Sequence, residues 1–238
     1  MPKVLILILS CVKHELNGFN QAIRDTWMPD AHRFGFDTRF FIGNGTPTGE
    51  DESELSKSYE SRTGVFHGKV TEDPSISLMV VKPDHVVLDI PDGYFYSTHK
   101  FREACRWALT QGYDYVFQVL TDTFVIPYRL IDSGFEQHDY AGTANNERTA
   151  IGGGAGMWLS RKALQYLVNA PVDMWVHDGW AGKILLKNGI GLVHDGRYTN
   201  LGHGKIPDDL ITVHIANTPT VYDPRVMFDL YRKYADAQ

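Results

Sequence analysis

The 238 residues carry 23 Lys and Arg against 29 Asp and Glu, a formal net charge of −6. That balance lacks the basic stripe of a nucleic-acid binder, so a nucleic-acid partner is not favoured. With 43% hydrophobic and 22% charged residues the composition is globular, enough for one large or two small cores.

The first apolar run, Val4 to Leu9 in "MPKVLILILSCVKHE", is too short for a bilayer and lacks a small-residue cleavage site. It reads as the buried first strand of a parallel sheet. No later stretch approaches the roughly twenty apolar residues of a membrane span, so a soluble protein is expected. Cys11 and Cys105 are the only cysteines. That excludes a disulfide scaffold and points to a reducing, cytoplasmic compartment.

Along the chain, strands and helices alternate. A strand at Val4–Ser10 leads into an amphipathic stretch, Phe19–Trp27, then a strand at Thr38–Ile42 closed by "GNG". Residues 50–62 fall in a polar, acidic segment without apolar period, read as a mobile loop within one domain spanning 1–238. A strand at His85–Asp89 precedes a helix whose face is marked by Tyr94, Phe101, Cys105 and Leu109 and which ends at Gly112. Next come the apolar run Val116–Leu120, "YAGT", a glycine-rich strand at Ile151–Leu159, and a helix from Ser160, a good N-cap. A helix Gly179–Lys187 after Asp178, strands near Ile190–Val193 and Leu210–Ile215, and a last helix from Asp223 complete the pattern. This order predicts an α/β sheet with helices on both faces, whose ligands bind beyond the carboxyl ends of the strands.

Asp122 stands at such an end, in "VLTDTF". Asp is a poor strand residue and costly to bury unpaired, so it either caps a turn or is held there for chemistry. Asp178 likewise reads as a helix N-cap or as a carboxylate facing the cleft. The "IGGGAGMW" stretch lets backbone approach a ligand but lacks the Lys-Ser/Thr of a P-loop. His14, His67, His85, His99, His177, His194, His203 and His214 are all candidate ligands, although a lone His is usually structural. Trp158 reads as core, and Trp180, beside Asp178, as a candidate stacking surface. Arg24 and Lys100 have plain readings as solvated helix charges.

Five segments in order resemble the β1,3-galactosyltransferase and Fringe glycosyltransferase superfamily, from Leu5 to about Gly191. "AIRDTW" with "FFIG" resembles its Arg-x-Thr-Trp and following strand. "DGYFYSTHK" resembles its Asp-x-Tyr-x-Asn-Leu-Thr-x-Lys helix start. "GGAGMWLSRKAL" is similar to its Gly-Gly-Ala-Gly stretch, and "HDGWAGKIL" to its Glu-Asp-Val-x-x-Gly segment. The family's Asp-Asp-Asp metal motif falls on Leu120-Thr121-Asp122, so only the last carboxylate, the one that the family sets on the metal, is kept.

The resemblance implies a GT-A-type fold and an inverting transfer from a UDP-sugar to a glycan or other hydroxyl acceptor, with Mn²⁺ or Mg²⁺. On it, Asp122 and His214 hold the metal, with His203 as rival to His214, and Asp178 is the general base, with His177 in place of the family's Glu. Arg24, Lys100, Thr121, Gly153 and Gly154 fall on the donor side, and Trp180 on the acceptor side. Animal members are anchored Golgi enzymes with several disulfides; this chain resembles a soluble bacterial or viral relative. Two alternatives stay open: a viral enzyme glycosylating a hydroxymethylated DNA base, and a degenerate, non-catalytic carbohydrate-binding protein.

Overall fold

The computed structural model describes residues 2–45, 82–200, 206–215 and 223–235. The expected loop at 50–62 and the candidate His203 lie outside them. In chain order the elements begin with β1 (Val4–Leu9), α1 (Val12–Leu16), α2 (Phe19–Asp25), α3 (Trp27–Arg33), β2 (Asp37–Gly45) and β3 (His85–Pro91). The middle of the chain supplies α4 (Ser97–Thr110), β4 (Tyr115–Leu120), β5 (Thr123–Val125), α5 (Pro127–Ile131), β6 (Tyr140–Gly142) and β7 (Met157–Ser160). Last come α6 (Arg161–Asn169), α7 (His177–Lys187), β8 (Val193–His194), β9 (Tyr198–Asn200), β10 (Thr212–His214) and α8 (Arg225–Ala235).

Among the described residues the main sheet runs β3-β2-β1-β4-β7-β6-β8, and a small sheet runs β5-β10-β9. Strands β3, β2, β1 and β4 are parallel, while β7 is antiparallel to both neighbours. The fold is therefore α/β with a mostly parallel sheet, as expected. Strand β1, "VLILIL", is buried throughout because helices cover both of its faces. Its side chains alternate: Val4, Ile6 and Ile8 join the core with α2, α3 and α8, while Leu5, Leu7 and Leu9 join that of α4, α6 and α7.

Two elements differ from expectation. The strand foreseen at Ile151–Leu159 shrinks to β7; Ile151 keeps an isolated bridge to Ala144, and the glycines between form a turn. Glycine has no side chain to pack on a sheet, and Gly156, at φ 107 and against the Phe117 ring, has left the extended region. Helix α7 begins at His177 with Val176 at the cap, so Asp178 lies inside the first turn rather than at the N-cap. Ser160 does cap α6, its Oγ accepting from Ala163 N at 3.2 Å.

One carboxylate ties the ends of the central strands together. Asp92, just after β3, accepts from Val12 N at 2.6 Å, Gly43 N at 2.7 Å and Lys100 Nζ at 3.0 Å. Lys100 also donates to Ser10 O at 2.8 Å. Both charged groups are buried. A Cβ on Gly43 would run into Ile90 O and the Asp92 backbone, so glycine is required where β2 meets this carboxylate. A second network holds α1 and α2 to the start of β3: Glu15 accepts from Arg24, Asn20, Lys82 and His85. Burial raises the Glu15 carboxyl, but these donors outweigh it and bring it down to about 2.

Asp92→Ala leaves the Lys100 ammonium buried without its counter-charge, so it should cost about 3–5 kcal/mol in urea unfolding. A loss below about 1 kcal/mol, the range of exposed ion pairs, would mean that the three-way link is not structural.

Candidate functional site

The order of the parallel strands reverses between β1 and β4, and the carboxyl ends of these two strands flank the crevice where open α/β sheets bind ligands. Chain segment Thr121–Thr123 leaves β4 there, fully buried apart from Asp122 at 5% exposure. Strand β10 runs beside it, with His214 level with Thr123 of β5 on one side and Asn200 of β9 on the other. Ile215 N donates to Asp122 O at 2.8 Å, closing the junction.

This pairing sets Asp122 Oδ1 3.3 Å from His214 Nε2. The pair is close enough to attract as charges, yet it is not aligned as a hydrogen bond, and both atoms are buried without one. On its other edge His214 Nδ1 meets Asn200 Oδ1 at 2.9 Å. Burial works against ionisation of Asp122, but the His214 and His14 rings outweigh it and hold the carboxyl below its usual range. His14 itself is pushed down to about 4, chiefly by burial and partly offset by Asp122, and its Nδ1 lies 2.5 Å from Thr121 Oγ1. At neutral pH Asp122 is thus a carboxylate anion beside an uncharged His14.

The glycine turn passes directly under this pair. A Cβ on Gly154 would stand 2.5 Å from Cε1 and Nδ1 of His214, so the ring seats on a bare backbone. Thr123 Oγ1 donates to Gly154 O at 2.7 Å and Thr212 Oγ1 to Ala155 O at 2.5 Å. The threonines flanking Asp122 and His214 therefore clamp the turn to the same two strands.

One residue earlier, Gly153 N donates to Asp178 Oδ2 at 3.1 Å, while Gly179 N donates to Asp178 Oδ1 at 2.7 Å. Asp178 is half-buried and oriented by two backbone amides. Its neighbour His177 is buried, which holds its imidazole below the ordinary value against the pull of Asp178. A Cβ on Gly153 would lie 2.5 Å from His177 Nε2 and 3.2 Å from Gln118 Oε1. His177 Nε2 and both amide atoms of Gln118 have no hydrogen-bond partner.

The remaining expected residues have internal partners. Arg24 donates through Nε and both Nη atoms to Glu15 and Asp84, and stands over the Phe40 ring at 4.7 Å. Lys100 is spent on Asp92 and Ser10. Trp180 is not a sugar platform: it is fully buried, its Nε1 donates to Pro171 O at 2.9 Å, and its ring packs edge-on to Phe101. Trp158 is core, stacked on Phe135 at 4.0 Å.

The crevice thus brings together Asp122, His214, Thr121, Gly153, Gly154 and Asp178, and leaves Arg24 and Trp180 outside. Among the described residues no group of three or more His, Cys, Asp or Glu could hold a metal ion. No protein-family model and no curated protein sequence matches the chain. Among solved structures the chain is similar to "crystal structure of a glycosyltransferase involved in the glycosylation of the major capsid of PBCV-1". The likeness covers 97% of this chain and 100% of that one at 11% identity, with a TM-score of 0.49. A likeness that distant does not reach the chemistry, which rests on the residues themselves.

Sequence reasoning missed Asn200, Thr123, Thr212 and Gln118. Only Gln118 carried a readable signal, a polar residue inside the otherwise apolar "VFQVL". An unpaired buried amide costs about 1–3 kcal/mol, so Gln118→Leu, similar in size, should raise the melting temperature by a few degrees. Calorimetry showing a lower melting temperature would mean that the amide is paired in solution.

Proposed function

We propose that this chain is an inverting glycosyltransferase that moves a sugar from a UDP-sugar to an acceptor hydroxyl, that of a glycan, with Mn²⁺ or Mg²⁺. The observation that carries the reading is the buried pair of Asp122 Oδ1 and His214 Nε2, 3.3 Å apart and not hydrogen-bonded, at the strand-order reversal. Two ligands sharing an octahedral cation stand about 3 Å apart, so the donor set and its spacing fit a divalent ion. Two protein ligands are too few for a closed site, and such ions commonly complete their shell with substrate phosphate oxygens and water. When bound, the cation would neutralise the charge that develops on the diphosphate leaving group.

The chain's own residues divide the remaining work. Asp122 and His214 would hold the cation. Thr121 and the Gly153–Gly154 backbone line the donor side, the glycines seating the His177 and His214 rings. Asp178, oriented by the Gly153 and Gly179 amides, takes the proton of the acceptor hydroxyl as that oxygen attacks the anomeric carbon in line. Lys100 and Arg24 act on the donor only through the loops that they hold, Lys100 at the ends of β1 and β2 and Arg24 between α1 and β3.

Asp178→Asn should leave binding of UDP-galactose, UDP-glucose or UDP-N-acetylglucosamine unchanged and cut donor turnover by about 10²- to 10⁴-fold, the usual loss for a general base. Full activity in this variant would move the base elsewhere. Asp122→Asn should weaken Mn²⁺-dependent UDP binding in a titration with an intact fold, since a neutral amide is a poor ligand for a hard cation. Unchanged Mn²⁺ dependence would remove Asp122 from the site. Wild-type protein that binds a UDP-sugar but neither hydrolyses nor transfers it would favour a carbohydrate-binding role.

A further inference from the structure

With His214 neutral, the Asp122–His214 pair has two self-consistent states, and the amide beside it decides between them. If a side-chain NH₂ faced His214 Nδ1, that nitrogen would accept, Nε2 would carry the proton, and Nε2–H would donate to the Asp122 carboxylate. The pair would then be a closed internal hydrogen bond. If an oxygen faces Nδ1, that nitrogen carries the proton, and Nε2 turns a bare lone pair toward a carboxylate oxygen.

The contact that Asn200 makes with the ring fits the second state. Asn200 presents Oδ1, not Nδ2, to His214 Nδ1 at 2.9 Å. Nε2 stands 3.3 Å from Asp122 Oδ1 without an aligned hydrogen bond, so no internal partner holds that nitrogen. With its proton on Nδ1, a neutral His214 turns the Nε2 lone pair toward the carboxylate, and a cation between the two would be attracted to both. The backbone fixes the arrangement: Asn200 and His214 are level across the parallel pair β9 and β10, and Gly154 seats the ring from below.

We infer that Asn200 is a positioning residue that selects the Nδ1–H tautomer of His214 and so keeps the Asp122–His214 pair open for a divalent cation. The inference builds on the proposed metal pair and adds a residue that touches neither cation nor sugar. Outer partners of this kind fix the orientation and basicity of a ligating imidazole, and their loss weakens metal binding about 10- to 100-fold.

The test needs no sugar. Long-range proton–nitrogen NMR correlation on the metal-free wild-type protein should show His214 protonated at Nδ1. Asn200→Leu should shift the proton to Nε2 and weaken Mn²⁺ binding with UDP present, read by electron paramagnetic resonance, about 10- to 100-fold. Asn200→Asp, which keeps an acceptor oxygen, should preserve both the tautomer and the affinity. A wild-type ring protonated at Nε2, or Asn200→Leu binding Mn²⁺ like wild type, overturns the assignment. Wild-type protein with the expected tautomer and Mn²⁺ affinity but no sugar transfer supports the role of Asn200 while sinking the glycosyltransferase reading. Protein that binds no Mn²⁺ overturns both.

Discussion

The Asp92 carboxylate is the constraint on which the crevice depends. Parallel strands reach their carboxyl ends with amides and carbonyls that the sheet no longer pairs, and buried polar groups must find partners. Asp92 takes two of those amides, Val12 N after β1 and Gly43 N in β2, and balances its charge against Lys100 from α4. Lys100 in turn covers the Ser10 carbonyl. Three layers of the fold are thus pinned at one point beside the strand-order reversal, and helix α1, which carries His14, starts from that point. Removing the charge of either partner would leave the other buried alone, which is why the pair is a matter of fold more than of substrate.

Around this anchor the charges are arranged economically. Burial keeps His14 and His177 uncharged, so neither ring supplies a cation beside Asp122 and Asp178. The positive groups that a phosphate binder would be expected to display, Lys100 and Arg24, are instead consumed by Asp92, Glu15 and Asp84. A diphosphate entering this crevice meets carboxylate and neutral imidazole. It would be repelled without a cation, which accords with the metal that the proposed reading calls for.

Much of the fold was legible because its signals are local. The unbroken run "VLILIL", the helix-capping Ser160, and Asp122 at a strand end each report a preference of a few neighbouring residues. The structure then brings Asp122 and His214, chosen separately from strand ends, into one pair. What could not be read depends on pairing across the chain. Asn200 becomes relevant only because β9 lies level with β10, and Thr123 and Thr212 only because the glycine turn passes between them. Trp180 misled because an aromatic beside an acid suggests a sugar surface. Its spacing with Ala181, Ile184 and Leu185 marks the inner face of α7 instead. The glycine stretch misled for a related reason: apolar flanks read as strand, while the glycines themselves gave the sheet nothing to pack.

Adjacent residues of that stretch serve different partners, Gly153 holding Asp178 and Gly154 carrying the His214 ring. Neighbouring Cα atoms are about 3.8 Å apart whatever the rest of the chain does. The floor of the crevice is therefore a fixed gauge: it cannot be stretched by a drifting loop or shortened by a substitution, since any side chain at either step strikes an imidazole. In the proposed reading, relatives with the same gauge would be held to one reach between donor and acceptor. New substrates would have to be accommodated by reshaping the walls, leaving the floor as it is.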